Sequence, residues 1–200
     1  MKLGLFGGSF DPVHEGHIAP VKEARRRLGL EQVIYLPTAV PPHKPDSLLA
    51  PPLARYAMVE LALIAEDGLF VSPYELTLGR PAYTVETLEH FRHIRPEADL
   101  HLLIGADAFL DLPKWHRWRD LTRLARLVVM AREGWDPEAL AGEAALVELL
   151  RGGRVDLLRQ PTSGVSSTRL RELLARGELP PAGWMPKLVL EFTGKYRLYR

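Results

Sequence analysis

The sequence contains no cysteine. That excludes disulfides, thiolate nucleophiles and cysteine-ligated metals, and it fits a reducing compartment such as the cytoplasm. No apolar run is long enough to span a bilayer, and no secretory signal precedes the first strand. A cytoplasmic protein without a membrane partner is therefore expected. Charge of one sign is also missing: 26 Lys and Arg oppose 25 Asp and Glu, a formal net of +1. Charge alone gives no reason to expect nucleic acid as a partner. There are no internal repeats, low-complexity segments or clear linkers. Both common phosphate fingerprints, G-x-G-x-x-G and G-x-x-x-x-G-K-[ST], are absent. Lysine is scarce beside arginine and proline is abundant, a mix compatible with a thermophile or a GC-rich genome.

What the chain does contain is alternating strand and helix patterns over 200 residues, the size of a single domain. Such a chain buries roughly 70% of the surface it would expose unfolded, so it needs no staples. Strands are expected at Lys2–Phe6, Gln32–Pro37, Leu69–Ser72, Leu100–Gly105, Leu127–Met130 and Val155–Leu158. Helices are expected from His17 to Leu28, Leu53 to Ile64, Tyr83 to Ile94, Arg117 to Ala125 and Pro137 to Leu150. Another is capped by Ser166 or Ser167 and stops at Gly177, and a last one spans Pro186 to Phe192 before a basic, aromatic tail. Thr38 to Pro52 is a proline-rich loop long enough to suggest function. The pattern predicts an α/β fold: a Rossmann-like doubly wound parallel sheet, helices on both faces, and a small C-terminal helical extension. In the strand order 3-2-1-4-5, ligands bind where the ends of strands one and four flank the reversal. The segments Gly7–His17 and Gly105–Asp107 would meet there.

The most informative stretch is Gly7-Gly8-Ser9-Phe10-Asp11-Pro12-Val13-His14-Glu15-Gly16-His17. A buried strand runs into paired glycines, an Asp-Pro turn and a helix start. Backbone N–H groups converge at such a junction and the helix dipole favours an anion, so the unit reads as a phosphate cradle. Two histidines on its lip suggest chemistry on the phosphate. Zinc is the rival reading, but the helical zinc pair is H-E-x-x-H, and here the spacing is three with no evident third ligand. A second signal is Ser166-Ser167-Thr168-x-x-Arg171. Alone it reads as a plain helix cap, yet Arg171 lies one turn beyond Thr168 on the same face, so hydroxyls and a guanidinium would surround one anion.

The first stretch resembles the G-G-x-F-D-P-x-H-x-G-H signature of the nucleotidylyltransferase superfamily, and the second its S-S-T-x-x-R motif. Pro41-Pro42-His43-Lys44, Glu75-Leu76, Ala82-Tyr83-Thr84 and Leu112-Pro113-Lys114-Trp115 resemble motifs of bacterial nicotinate-nucleotide adenylyltransferases. That resemblance implies transfer of AMP from ATP to nicotinate mononucleotide, with Mg²⁺ accompanying ATP. It implies that His14, His17 and Arg171 are catalytic. Gly7, Gly8, Ser9, Phe10, Gly105, Asp107, Arg132, Ser166, Ser167 and Thr168 would bind ATP. His43, Lys44, Tyr83, Thr84 and Trp115 would hold the pyridine nucleotide. No metal ligand is identified among the side chains, and a homo-oligomer is compatible with the sequence.

The chain departs from the family pattern at Leu78, Arg80 and Ala82, where an Arg, a Gly and a Ser are usual, and Arg80 is a candidate to supply the missing guanidinium. Arg132-Glu133-Gly134 replaces the usual R-P-G. Taken singly, Trp115 and Trp118 also read as core aromatics, Asp107 as a turn cap and Lys44 as a surface charge. The histidines at 90, 93, 101 and 116 read as surface or packing residues. Competing functions are a sister adenylyltransferase acting on phosphopantetheine or nicotinamide mononucleotide, and a nucleotide sensor without turnover. Class I aminoacyl-tRNA synthetases share an HxGH-like motif, but their lysine-rich signature is missing here.

Overall fold

Six strands form one sheet in the order β3-β2-β1-β4-β5-β6. They are β1 (Lys2–Gly8), β2 (Gln32–Pro37), β3 (Leu69–Val71), β4 (Asp99–Gly105), β5 (Arg126–Arg132) and β6 (Val155–Gln160). The computed structural model describes residues 1–39, 49–132, 135, 144–160 and 164–200. Nine helices are seen among the described residues. They are α1 (Glu15–Leu28), α2 (Pro52–Leu63), α3 (Tyr74–Thr77), α4 (Thr84–Ile94), α5 (Ala106–Leu110), α6 (Trp118–Leu124), α7 (Ala144–Arg151), α8 (Ser167–Ala175) and α9 (Lys187–Lys195). The expected order 3-2-1-4-5 is present, with β6 added at the edge. Strand order reverses at β1, and right-handed crossovers on either side of a reversal place helices on opposite faces.

The Cα packing groups the chain into two units. The first comprises Met1–Gly7, Glu23–Val33 and Tyr83–Thr162. In it β1, β4, β5 and β6 are parallel neighbours, with Phe6 opposite Leu103 and Leu103 opposite Val128. Leu3, Leu5, Leu103, Leu127, Val128 and Val129 are fully buried. Strands covered on both faces read as continuous apolar runs, which is why these were legible without alternation. His101 belongs to this packing; it is buried and its Nδ1 lies 3.0 Å from the Asp99 carbonyl. The register places Gly7 and Gly105 at the carboxyl ends of the adjacent strands β1 and β4.

The second unit comprises Gly8–Lys22, Ile34–Ala82 and Ser163–Arg200. Its core joins α2 to α9, with Met58, Val59 and Val189 fully buried.

Several boundaries differ from expectation for identifiable reasons. α1 begins at Glu15, not His17, because His14 caps it: its carbonyl accepts from His17 N (2.8 Å) and Ile18 N (3.3 Å). The turn expected after β4 is the short helix α5, followed by a 3₁₀ turn at Leu112–Lys114. Both bury one apolar residue, Phe109 and Leu112, and are too short to show a period. α9 runs on to Lys195, past Phe192, because the buried Thr193 donates its hydroxyl to the Leu190 carbonyl (2.8 Å). The helix expected from Pro137 is seen from Ala144, with residues 136–143 outside the described ones. Among the described residues, no helix is long and apolar enough to cross a membrane.

Gly4 is fixed by packing. A Cβ there would sit 2.9 Å from Val33 Cγ2, 3.1 Å from Leu30 Cδ1 and 3.2 Å from Leu103 Cδ1. Overpacking of this kind costs about 1–3 kcal/mol. Gly4→Ala should therefore lower the melting temperature by roughly 2–10 °C. Thermal unfolding within 1 °C of wild type would show that the three neighbours yield freely.

Candidate active site

The two motif histidines sit at the start of α1 in a defined relation. His14 occupies the N-cap position and His17 is the third helical residue. The His14 backbone N–H donates to His17 Nδ1 at 3.3 Å. This is the reciprocal half of a capping box, with histidine where glutamate or glutamine usually stands. The spacing of three that argues against a zinc pair is thus the N-cap to N3 spacing. Accepting at Nδ1 makes His17 a neutral imidazole that carries its proton on Nε2. Burial, and then the neighbouring His14, hold the His17 pKa well below its ordinary value. The two rings stack at 3.8 Å between centroids, 28° apart.

Phe10 supports this pair from the glycine turn. It is buried, lies edge-on to His17 at 5.3 Å and packs against Tyr35 at 5.6 Å. Its φ of +49° is unusual for a bulky residue, so the loop is held by tertiary contact. Gly8 makes room for it: a Cβ there would lie 3.0 Å from two Phe10 ring atoms. Tyr35 donates its hydroxyl to the His17 carbonyl (3.1 Å). The first N–H of α1, that of Glu15, is taken by the Trp184 carbonyl (3.0 Å). The cradle therefore offers fewer helix N–H groups than a bare helix start would.

The second motif lies in the same unit and is tied to the first. Ser166 is the N-cap of α8, its Oγ accepting from Arg169 N at 3.3 Å. Ser167 donates its hydroxyl to the Pro12 carbonyl (3.0 Å). Thr168 Oγ1 accepts from Arg171 Nη2 (3.4 Å), as their spacing requires. Arg171 Nη1 donates to the Asp11 carbonyl (2.6 Å) and lies 3.7 Å from Asp11 Oδ2. His14, His17, Phe10 and Arg171 thus belong to one bonded assembly with the turn. Of the three hydroxyls, one caps, one pins the Asp-Pro turn and one orients the guanidinium.

At the base of the assembly are residues to which the sequence reading gave no role. Asp11 is completely buried, and its Oδ1 accepts from Ala50 N (3.1 Å) and from the Tyr199 hydroxyl (2.7 Å). Arg55 is equally buried and donates to three carbonyls: Ser9 (2.7 Å), Ala50 (3.0 Å) and Ala39 (3.0 Å). Burial presses the Arg55 pKa down, and the Asp11 charge opposes that shift. A signal for Arg55 was present: it shares a helix face with the apolar Met58 and Val59, three and four residues on. No local pattern announces Tyr199.

The remaining candidates belong to the other unit. Tyr83 caps α4, its ring 4.6 Å from that of His116, and its N–H faces Glu86 Oε2 at 3.5 Å. Thr84 opens the helix and is half-buried. Gly105 precedes α5 and Asp107 is exposed in its first turn. Trp115 is half-buried just after the 3₁₀ turn, its N–H on the Leu112 carbonyl (2.9 Å). Arg132 closes β5. His43 and Lys44 lie outside the described residues. In the second unit, Arg80 is exposed and donates to the Pro81 carbonyl (3.1 Å).

Comparison with known proteins is decisive about kinship. The Cytidylyltransferase-like family model matches residues 5–173. A probable nicotinate-nucleotide adenylyltransferase of Aeromonas hydrophila is 39% identical over 209 residues, covering 99% of this chain and 97% of the relative. The chain belongs to the nicotinate-nucleotide adenylyltransferase family. The counterpart from Clostridium tetani is 36% identical over 199 residues, covering 100% and 99% of the two chains. In fold, the chain is similar to Plasmodium falciparum nicotinic acid mononucleotide adenylyltransferase complexed with NaAD. The TM-score is 0.81 at 16% identity, covering 99% of this chain and 97% of that one.

For this member of the family, the half-buried, neutral His17 has a consequence for stability. Its folded pKa is depressed, so below about pH 6.5, where an unfolded histidine protonates, the unfolded chain binds a proton that the folded chain refuses. The contribution of His17 is complete above that pH and is lost as pH falls toward the folded value. His17→Gln should therefore show a smaller drop in melting temperature between pH 7.5 and pH 5 than wild type. Parallel curves for the two proteins would show that His17 titrates normally.

Proposed function

We propose that this chain transfers the adenylyl group of ATP to nicotinate mononucleotide, releasing pyrophosphate and nicotinate adenine dinucleotide. The observation that carries the proposal is the capped His14–His17 pair directly after the turn whose Asp11 carbonyl accepts from Arg171. A neutral N–H donor on α1 and a guanidinium on α8 thus flank one turn. The acceptor's phosphate is already ionised near neutral pH, so it attacks the α-phosphorus in line and needs no enzymic nucleophile. The protein's part is positioning and charge stabilisation. His17 Nε2–H donates to the transferring phosphate, and Arg171 grips the triphosphate oxygens. Asp11 offsets one of the two guanidiniums beside it, leaving a net positive charge for an anionic substrate. The backbone of Gly7, Gly8 and Ser9 would line the phosphate path, and Gly105, Asp107 and Arg132 the adenosine.

Mg²⁺ enters as part of the Mg–ATP substrate. Asp11, the buried carboxylate of the motif turn, already accepts at Oδ1 from Ala50 and Tyr199. Among the described residues, no group of three or more His, Asp or Glu side chains is disposed to hold an ion. A cation that keeps its waters and sits on phosphate oxygens fits such a donor set. A cytoplasmic site of action accords with this reading.

The acceptor is read from α4. The N–H groups at the start of a helix have no partner within it, and those of Thr84 and Val85 suit the carboxylate of the nicotinate ring. An amide there would oppose NH₂ to these donors. Trp115 would stack on the ring without telling acid from amide.

The deciding assay supplies ATP, Mg²⁺ and one of three acceptors, and measures pyrophosphate. Nicotinate mononucleotide should be preferred by kcat/KM over nicotinamide mononucleotide, and phosphopantetheine should be inert. A preference for the amide would overturn the role given to α4. Equal turnover with phosphopantetheine would overturn the pyridine assignment. His17→Ala should lower kcat by about 10²–10³ with a much smaller change in ATP affinity. A kcat within a few-fold of wild type would remove His17 from the chemistry.

A further inference from the structure

Tyr199 reaches into the base of the phosphate assembly from the segment after α9. Its hydroxyl donates to Asp11 Oδ1 at 2.7 Å, on the same oxygen that accepts from Ala50 N. Both donors therefore load one side of the carboxylate. The other oxygen, Oδ2, faces Arg171 Nη1 at 3.7 Å, beyond hydrogen-bond distance, while that same nitrogen donates to the Asp11 main-chain carbonyl at 2.6 Å. Arg171 is thus held beside Asp11 without being clamped by its carboxylate. A bidentate pair is the preferred geometry of a guanidinium and an unshared carboxylate, and it would compete directly with the nucleotide phosphates for Arg171.

We propose that Tyr199 is a positioning residue for Arg171. By holding the Asp11 carboxylate through Oδ1, it keeps the guanidinium off that carboxylate and available to the triphosphate of ATP. The segment carrying Tyr199 is built for a fixed placement. Arg197 and Tyr199 have φ of +52° and +69°, a conformation that bulky residues adopt when tertiary contacts hold them. The turn is tied back to α9 by Tyr196 N to Phe192 O (3.1 Å) and Leu198 N to Thr193 O (3.0 Å). Burial, then the bond to Asp11, push the Tyr199 pKa far above that of a free phenol, so the group stays a donor at any working pH.

The inference rests on the adenylyl-transfer reading, and Tyr199→Phe tests it because the ring and its packing are kept. Losing the hydroxyl should raise the ATP KM, and the dissociation constant of α,β-methylene-ATP by calorimetry, about 10-fold. The acceptor KM should stay within roughly two-fold of wild type, since Arg171 does not touch the acceptor in this scheme. In an Asp11→Asn background, where no carboxylate competes, the same substitution should change the analogue affinity less than about two-fold. An unchanged ATP KM in Tyr199→Phe would overturn the proposal. So would a parallel rise in both substrates' KM, or an undiminished effect in the Asp11→Asn background. If wild type releases no pyrophosphate with any acceptor, the functional reading fails, and the calorimetric arm still decides the role of Tyr199.

Discussion

One buried carboxylate organises the second unit. Asp11 stands in the turn after β1; its carboxylate reaches the segment before α2 through Ala50 and the segment after α9 through Tyr199, and its main-chain carbonyl reaches α8 through Arg171. An ionised group in a dry interior is tolerated only when it is paired and hydrogen-bonded. Every element that approaches Asp11 is therefore constrained to bring a donor. Segments far apart in sequence are fixed around one point, and the motif turn gains a rigidity that its glycines alone would not confer. Removing a partner from such a group costs far more than the partner's own hydrogen bond is worth, because the charge is left behind.

Charge and neutrality divide the labour inside this frame. Arg55 and Arg171 both flank Asp11, but Arg55 is wholly committed to backbone carbonyls, whereas the Arg171 side chain is one-third exposed. His17 is kept neutral by burial and by the N–H of His14. Kept neutral in this way, it responds little to pH across the range where phosphates stay ionised.

The strand order, the reversal beside β1 and most helices were legible in the sequence, because apolar periodicity and buried runs are local properties. So were the meeting of His14 and His17 at a helix start and the cap at Ser166, which follow from short spacings. The logic of the histidine pair was not visible. Spacing alone ranks a metal against a phosphate, while the tautomer follows from which backbone N–H meets Nδ1. α5 was missed because five residues hold no period. Tyr199 was missed for a different reason: its partner lies 188 residues away, and no window along the chain contains such a pairing; Arg55 shows only its place on the apolar face of α2, since its carbonyl bonds reach as far as Ser9, 46 residues away.

Arg55 has a further consequence, for how the chain can change over generations. It fixes the carbonyls of Ala39 and Ala50, the two ends of the stretch that carries the Pro-Pro-His-Lys motif, and with them the Ser9 carbonyl of the phosphate turn. A stretch anchored at both ends can gain or lose residues at small entropic cost, about 0.6 kcal/mol for each doubling of length. Its anchors, and the turn they share, need not move when it does. One guanidinium thereby ties both anchors to the turn after β1, so a change of length between Ala39 and Ala50 need not displace that turn.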